Sequence, residues 1–155
     1  MSTSIKPKIV KSTEGTVTSV VGQDGRAIMR GDDTGGLFSL SEIISDPEVG
    51  PPYHVHSRED ETFFILEGAF EFIVDGKRTV AKPGDTVFGA RNVPHTFKCV
   101  GTQKGRLTVL CTPAGFEKFF DEVTERNKVA EMTPPELTAL AAEYGCTILG
   151  PPPAE

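Results

Sequence analysis

The stretch His54-Val55-His56-Ser57-Arg58-Glu59-Asp60-Glu61-Thr62-Phe63-Phe64-Ile65-Leu66-Glu67-Gly68 decides the fold. Its two histidines are two residues apart, so on a strand both rings project to the same face. Glu61 follows after four intervening residues and opens Glu61–Leu66, which reads as the next strand before a Glu67-Gly68 break. The chain has 3 histidines in all. The last of them, His95, opens a strand candidate about forty residues further on. Three imidazoles and one carboxylate converging from neighbouring strands suit a borderline-to-hard divalent ion. Zn, Fe, Mn, Ni and Cu all accept such donors at roughly 2.0–2.2 Å. One or two coordination positions then stay open for water or substrate, as catalysis requires. An H-x-H pair alone is a weak signal, and the spacing of the remaining donors is what strengthens it.

Working outward, short strand candidates recur with Gly and Pro turns between them. Thr16 to Val21 and Arg26 to Arg30 read as a hairpin about a Gly22-Gln23-Asp24-Gly25 turn. A Gly31 to Gly36 loop leads into Leu37 to Ile44, and Asp46 to Pro52 is turn-rich. Ala69–Val74 and Lys77–Ala81 flank Asp75-Gly76, a strong hairpin turn. Thr86–Gly89 follows a Lys82-Pro83-Gly84-Asp85 turn, and His95–Val100 and Arg106–Thr112 complete the series. With 16 Gly and 12 Pro, this spacing predicts an all-β sandwich or barrel. The last third changes period: Phe116, Phe119, Phe120 and Val123 fall on one helical face. That stripe is either core packing against the sheet or a lid over one end of the barrel. Thr133-Pro134-Pro135-Glu136 combines an N-cap, Pro at the first helical position and a capping-box Glu, and Gly145 should end the helix. The expected organisation is a leader over 1–15, a β-barrel over 16–113, and a C-terminal helical extension and tail over 114–155.

The quoted stretch resembles the first motif of the cupin superfamily: H-x-H, three or four residues, Glu, six residues, Gly. Glu61 to Gly68 keeps the six-residue gap. The second cupin motif, G-x5-P-x-G-x2-H-x3-N, is similar in register to Gly84 to Cys99. Gly84 and His95 match, while Ala90 stands for Pro, Asn92 for the second Gly and Cys99 for the final Asn. Asn92 is a reasonable substitute because Asn tolerates the left-handed turn conformation. Three residues separate Gly50 from His54 where the family usually has five, which alters the incoming loop and no ligand. The resemblance runs from about residue 50 to about residue 100. It implies a cupin-type antiparallel jelly-roll barrel, here with C-terminal α-helices. It also implies a homodimer, and His54, His56, Glu61 and His95 as ligands of one divalent first-row metal (Fe, Mn, Ni, Cu or Zn).

Period-two alternation places Phe63 and Ile65 in phase with Glu61, and Phe97 and Cys99 in phase with His95. These four are the expected substrate pocket, and Lys98 should face away. No Lys or Arg is in phase on these strands to hold a phosphate, although Arg58 and Arg91 lie in turns that could fold over the mouth. An apolar pocket beside such a metal resembles the quercetinase-like cupin dioxygenases. The resemblance implies a small aromatic or enolisable substrate whose deprotonated hydroxyl binds the metal, with O₂ attacking the activated carbon. Glu61 is then ligand, general base or both. The alternatives are a non-oxidative isomerase or decarboxylase, and a cupin that binds a small molecule without turnover. Phe64 and Leu66 point outward and need cover from a second layer, the helices or a subunit. Thr147-Ile148-Leu149 is apolar enough to dock, on its own barrel or across an interface.

Composition narrows the partners. The 155 residues carry 16 Lys+Arg against 22 Asp+Glu, a net charge of −6, which argues against nucleic-acid backbones and a polybasic membrane anchor. No run of 18 apolar residues is present to span a bilayer. Lys6, Lys8 and Lys11 are not followed by the apolar stretch of a secretory signal. Cys99, Cys111 and Cys146 show no paired spacing and read as free buried thiols, so a cytoplasmic setting is expected.

Overall fold

A computed structural model describes residues 5–20 and 23–154. Val21 and Gly22, expected at a strand end and in a turn, lie outside the described residues, as do the first four residues of the leader and Glu155 of the tail. The described strands are β1 (Thr16–Val20), β2 (Gln23–Met29), β3 (Ser39–Ser45), β4 (Tyr53–His56), β5 (Asp60–Glu67) and β6 (Ala69–Val74). They continue with β7 (Lys77–Ala81), β8 (Thr86–Gly89), β9 (His95–Val100), β10 (Gly105–Thr112) and β11 (Cys146–Gly150). Helices are α1 (Gly31–Thr34), α2 (Glu117–Asn127) and α3 (Pro134–Glu143). One sheet runs β1-β2-β3-β10-β5-β8 and the other β11-β4-β9-β6-β7, with antiparallel pairing throughout. Two such sheets packed face to face form the jelly-roll of a cupin fold.

Local chemistry accounts for the turns. Asp75 and Gly76 both take positive φ (50° and 74°), as the tight turn between β6 and β7 requires. Asn92 also sits at φ 64°, so it supplies the left-handed residue that the Gly of the motif would supply. Thr133 donates from its backbone N–H and its hydroxyl to Glu136, closing the start of α3. Gly145, at φ 78°, turns the chain out of that helix.

Two local expectations are corrected, and an open one is decided. Gln23-Asp24-Gly25 belongs to β2 rather than to a turn, because Gln23 pairs with Ser45 in β3 and donates to its hydroxyl at 2.8 Å. Gly31 to Thr34 forms one helical turn where a loop was expected. The apolar tail lies on its own barrel as β11, pairing Cys146 with His56 and Ile148 with His54. This pairing gives the H-x-H strand a second neighbour; on its other side β4 meets β9 only at His54 opposite His95.

The core has two parts. Phe63, Phe70, Phe72, Phe97, Cys99 and Leu107 fill the barrel. Phe116, Phe119, Val123, Met132, Leu140 and Cys146 pack between the helices and the barrel mouth. The Phe stripe of α2 is therefore both core and lid. No helix among the described residues is long and apolar enough to cross a membrane.

Candidate metal centre

His54 and His56 project inward from β4, and His95 stands directly opposite His54 on β9. Glu61 comes from β5 in the facing sheet, where it is flanked by Gly89 of β8 and Cys111 of β10. The cluster thus spans the barrel interior, with the imidazoles on one wall and the carboxylate on the other. All four side chains are buried, and one donor atom from each lies within 4.8 Å of the others. Atoms bound to one cation at roughly 2.1 Å stand at most roughly 4.2 Å apart. Small side-chain rotations close that difference.

The ring nitrogens are already sorted. His54 donates from Nδ1 to the Pro52 carbonyl at 2.7 Å, and His95 from Nδ1 to the Val93 carbonyl at 3.1 Å. A carbonyl only accepts, so both rings spend Nδ1 on the backbone and turn Nε2 to the centre. His56 Nδ1 faces the Glu59 carboxylate at 3.3 Å. Glu61 Oε2 lies 2.7 Å from His95 Nε2 and 3.4 Å from His56 Nε2, contacts that a bound cation would take over. Burial, followed by the neighbouring His95, lowers His54 to about 4, so it is neutral at physiological pH. Burial would push Glu61 up, but His56, His95 and His54 outweigh it and hold the carboxylate at about 2. His56 is pulled down by burial and raised further by Glu61 and Glu59, so it ends above its ordinary value. A proton on His56 is what the two carboxylates attract without a metal, and a divalent cation satisfies the same attraction. The donor set fits a first-row ion.

A cavity of about 400 Å³ opens on this centre. Phe63 and Phe97 line it as the alternation predicted, while Ile65 and Cys99 do not. Both are fully in the barrel core, with the Cys99 thiol donating toward the Gln103 carbonyl. Alternation assigned their face correctly but carries no depth: four residues at roughly 3.3 Å each put Ile65 roughly 13 Å beyond Glu61. The remaining lining comes largely from the lid, with Phe116, Phe119, Phe120, Met132 and Leu137 closing the mouth. The Phe116 ring meets His56 edge-on, with centroids 4.4 Å apart. Its place at the site was foreshadowed only by the lid reading of the Phe stripe. Cys111, also in the lining, places its thiol 3.8 Å from Glu61 Oε1. Among the described residues no lysine or arginine lines the cavity. Arg91 is tied to Asp60, Arg58 lies alongside Gly145, and Lys98 faces out to Glu48.

Two further residues at the site carried no signal in the sequence reading. Gly89 lies across from Glu61, and a Cβ there would come within 3.3 Å of the His95 ring. Glu59 is one of three consecutive acids with three different fates. Asp60 turns outward to Arg91, Glu61 turns inward to the histidines, and Glu59 lies behind His56.

A two-sheet barrel with an H-x-H strand, a facing acid and a third histidine opposite the first is the arrangement of the cupin fold. Residues 42–111 match the family model described as Cupin domain. The chain resembles quercetin 2,3-dioxygenase of Bacillus subtilis, at 27% identity over 59% of this chain. That match spans 27% of the relative's own length. A second relative, "Probable oxidoreductase virH" of Hypocrea virens, is 24% identical over 96% of this chain and 77% of its own. Among solved structures, an RmlC-like cupin from Shewanella frigidimarina superposes with a TM-score of 0.62 at 20% identity. That superposition covers 73% of this chain and 96% of the other.

Proposed function

We propose that this protein is a metal-dependent oxygenase acting on a small, uncharged aromatic or enolisable substrate. The observation that carries this reading is the lining of the cavity. A cavity of about 400 Å³ walled by phenylalanines, without a cationic side chain among the described residues, opens directly on a three-His, one-Glu donor set. A sugar phosphate or dicarboxylate would enter such a cavity without a counter-charge. Two relatives named for oxidative chemistry support the same direction.

His54, His56, Glu61 and His95 would hold the metal. Any first-row ion there would supply a Lewis acid for a substrate hydroxylate, and a redox-active one, unlike Zn²⁺, would also supply a centre able to exchange electrons with O₂. The lid phenylalanines orient a flat substrate by edge and face contacts and exclude water. Glu61 serves as a ligand while the imidazoles surround it, since a carboxylate held at about 2 is a weak base. Its action as a base requires it to swing away from the histidines when substrate arrives. We propose further that two chains pair through the outer face of the six-stranded sheet, and that the free thiols belong to a reducing compartment such as the cytoplasm.

The test begins with elemental analysis of tag-free wild type beside His95→Ala. A near-stoichiometric first-row metal in wild type, lost in the variant, is the expected result. Oxygen uptake is then followed with flavonols and other enols, comparing Glu61→Gln. Consumption of O₂ with substrate, abolished in Glu61→Gln, supports the oxygenase. Turnover without O₂ makes the site an isomerase or decarboxylase instead. Ligand uptake without turnover makes it a binding cupin. Full metal content and full turnover in Glu61→Gln would remove Glu61 from the mechanism.

A further inference from the structure

We infer that Glu59 is a positioning residue of the metal centre: its carboxylate holds the His56 ring by Nδ1 and supplies the second negative charge that a buried dication needs. This rests on the reading of His54, His56, Glu61 and His95 as ligands of a divalent metal. Each of the three rings turns Nδ1 away from the centre, but the groups behind them differ. His54 and His95 rest on backbone carbonyls, whereas His56 rests on a carboxylate. A carboxylate behind a ligating imidazole fixes its tautomer, steers Nε2 to the metal and strengthens it as a donor.

Burial makes the arrangement informative. Glu59 is 4% exposed and His56 1%. Glu59 Oε2 and His56 Nδ1 have no hydrogen bond to any other group among the described residues; their own 3.3 Å contact lies off the line of a good hydrogen bond. No lysine or arginine forms an ion pair with Glu59 there, although its neighbour Asp60 has Arg91. A carboxylate taken out of water without a cation is strongly disfavoured. Three neutral imidazoles and Glu61 leave a bound dication with one uncompensated positive charge, and Glu59 cancels it. The unpaired acid and the under-neutralised metal site balance each other across a single imidazole. A small rotation of either side chain brings the contact into line.

The experiment compares Zn²⁺ binding by wild type, Glu59→Gln and Asp60→Asn, by competition against a chromophoric chelator. Glu59→Gln keeps the shape and removes the charge, and its affinity should fall by roughly 10–100-fold. Asp60→Asn, which removes the outward acid next door, should leave affinity within about twofold of wild type, since surface charge acts weakly here. The second readout is ¹⁵N-histidine NMR of the Zn²⁺-loaded protein, tractable because there are only 3 histidines. Wild type should show Zn²⁺ on Nε2 of all three rings, with the His56 Nδ1 proton furthest downfield because its acceptor is charged. In Glu59→Gln that proton alone should move upfield. Unchanged affinity in Glu59→Gln, or Zn²⁺ on Nδ1 of His56, overturns the inference while leaving the metal site standing. A wild type that takes up no Zn²⁺ overturns both together. If Glu59→Gln does not fold, the wild-type spectrum decides alone.

Discussion

Gly50 and Gly89 show how a residue without a side chain can shape a site. The incoming loop zips onto β9, with Glu48 and Val49 exchanging hydrogen bonds with Cys99. This brings Gly50 so close that a Cβ would lie 1.8 Å from the Phe97 carbonyl oxygen. Gly50→Ala must therefore push β9 away, and by the scale of core overpacking it should destabilise by at least about 1–3 kcal/mol. Thermal unfolding measures it, and an unchanged melting temperature would refute the close approach. Gly89→Ala is a milder intrusion, 3.3 Å from the His95 ring, and should weaken metal uptake with the melting temperature of the metal-free protein nearly unchanged. The cysteines give an independent check on burial. Cys99, Cys111 and Cys146 are all buried and free, and burial raises the Cys99 thiol and lifts Cys146 to about 12. The thiolate is the reactive form, so at pH 8 a thiol-reactive dye should find none of the three in native protein and all three after denaturation. A fast-reacting native thiol would contradict the packing. Of these residues the sequence announced the four clustered donors, because H-x-H and a spaced Glu and His carry a pattern. It did not announce Glu59 or Gly89, whose roles depend on which neighbour a turn or a pairing register brings alongside.

At the scale of elements, strands bounded by Gly and Pro turns were legible almost residue by residue. Ala69–Val74, Lys77–Ala81, Thr86–Gly89 and His95–Val100 form over the expected spans. β11 was not, because five residues of modest strand character become a strand only when β4 offers an edge. Depth was illegible for a similar reason. Alternation separates inside from outside, and only the packed barrel separates the mouth, at Phe63 and Phe97, from the floor, at Ile65 and Cys99. The helical Phe stripe was readable as a stripe, and its contact with the site appears once Phe116 meets His56 and stacks on Phe119. Phe116→Ala should therefore act on both stability and the site. Large-to-small truncation of a buried Phe costs about 3–5 kcal/mol, less where the surroundings collapse or water fills the gap. Here the gap opens into the cavity, so the loss should fall at the low end while the affinity for an apolar fluorescent probe changes markedly. Denaturant titration and probe binding measure the two, and a variant altered in neither would remove Phe116 from the lid.

At the scale of the whole molecule, the two faces of the six-stranded sheet are treated differently. Its inner face carries barrel core residues and Glu61 of the donor cluster. On its outer face Phe64 is 38% exposed, Leu66 39% and Phe88 58%, with Leu40 and Leu110 half-buried in the same surface. The cross-strand register explains the grouping: Phe88 lies opposite Thr62, and Thr62 opposite Leu110, which in turn faces Leu40. The C-terminal helices do not shield this face, because α2 packs on β1 and α3 on β11. Exposed apolar side chains grouped on one face mark an interaction site, and here they stand beside the Arg106 ion pairs with Glu42 and Glu67. Under the proposed pairing of two chains, the outer sheet faces would meet about a two-fold axis, with each Phe88 reaching toward the other's Phe64. A stable pair needs roughly 800 Å² from each partner, an area that one sheet face can supply. Sedimentation velocity should return a dimer for wild type and a monomer for Phe64→Lys/Phe88→Lys. The metal content of that variant should stay at the wild-type level, because both side chains point away from the ligands. A wild type that sediments as a monomer at tens of micromolar, well above the dissociation constant expected of an interface that size, would leave this face without its partner. A dimer that survives both substitutions would move the contact to another surface.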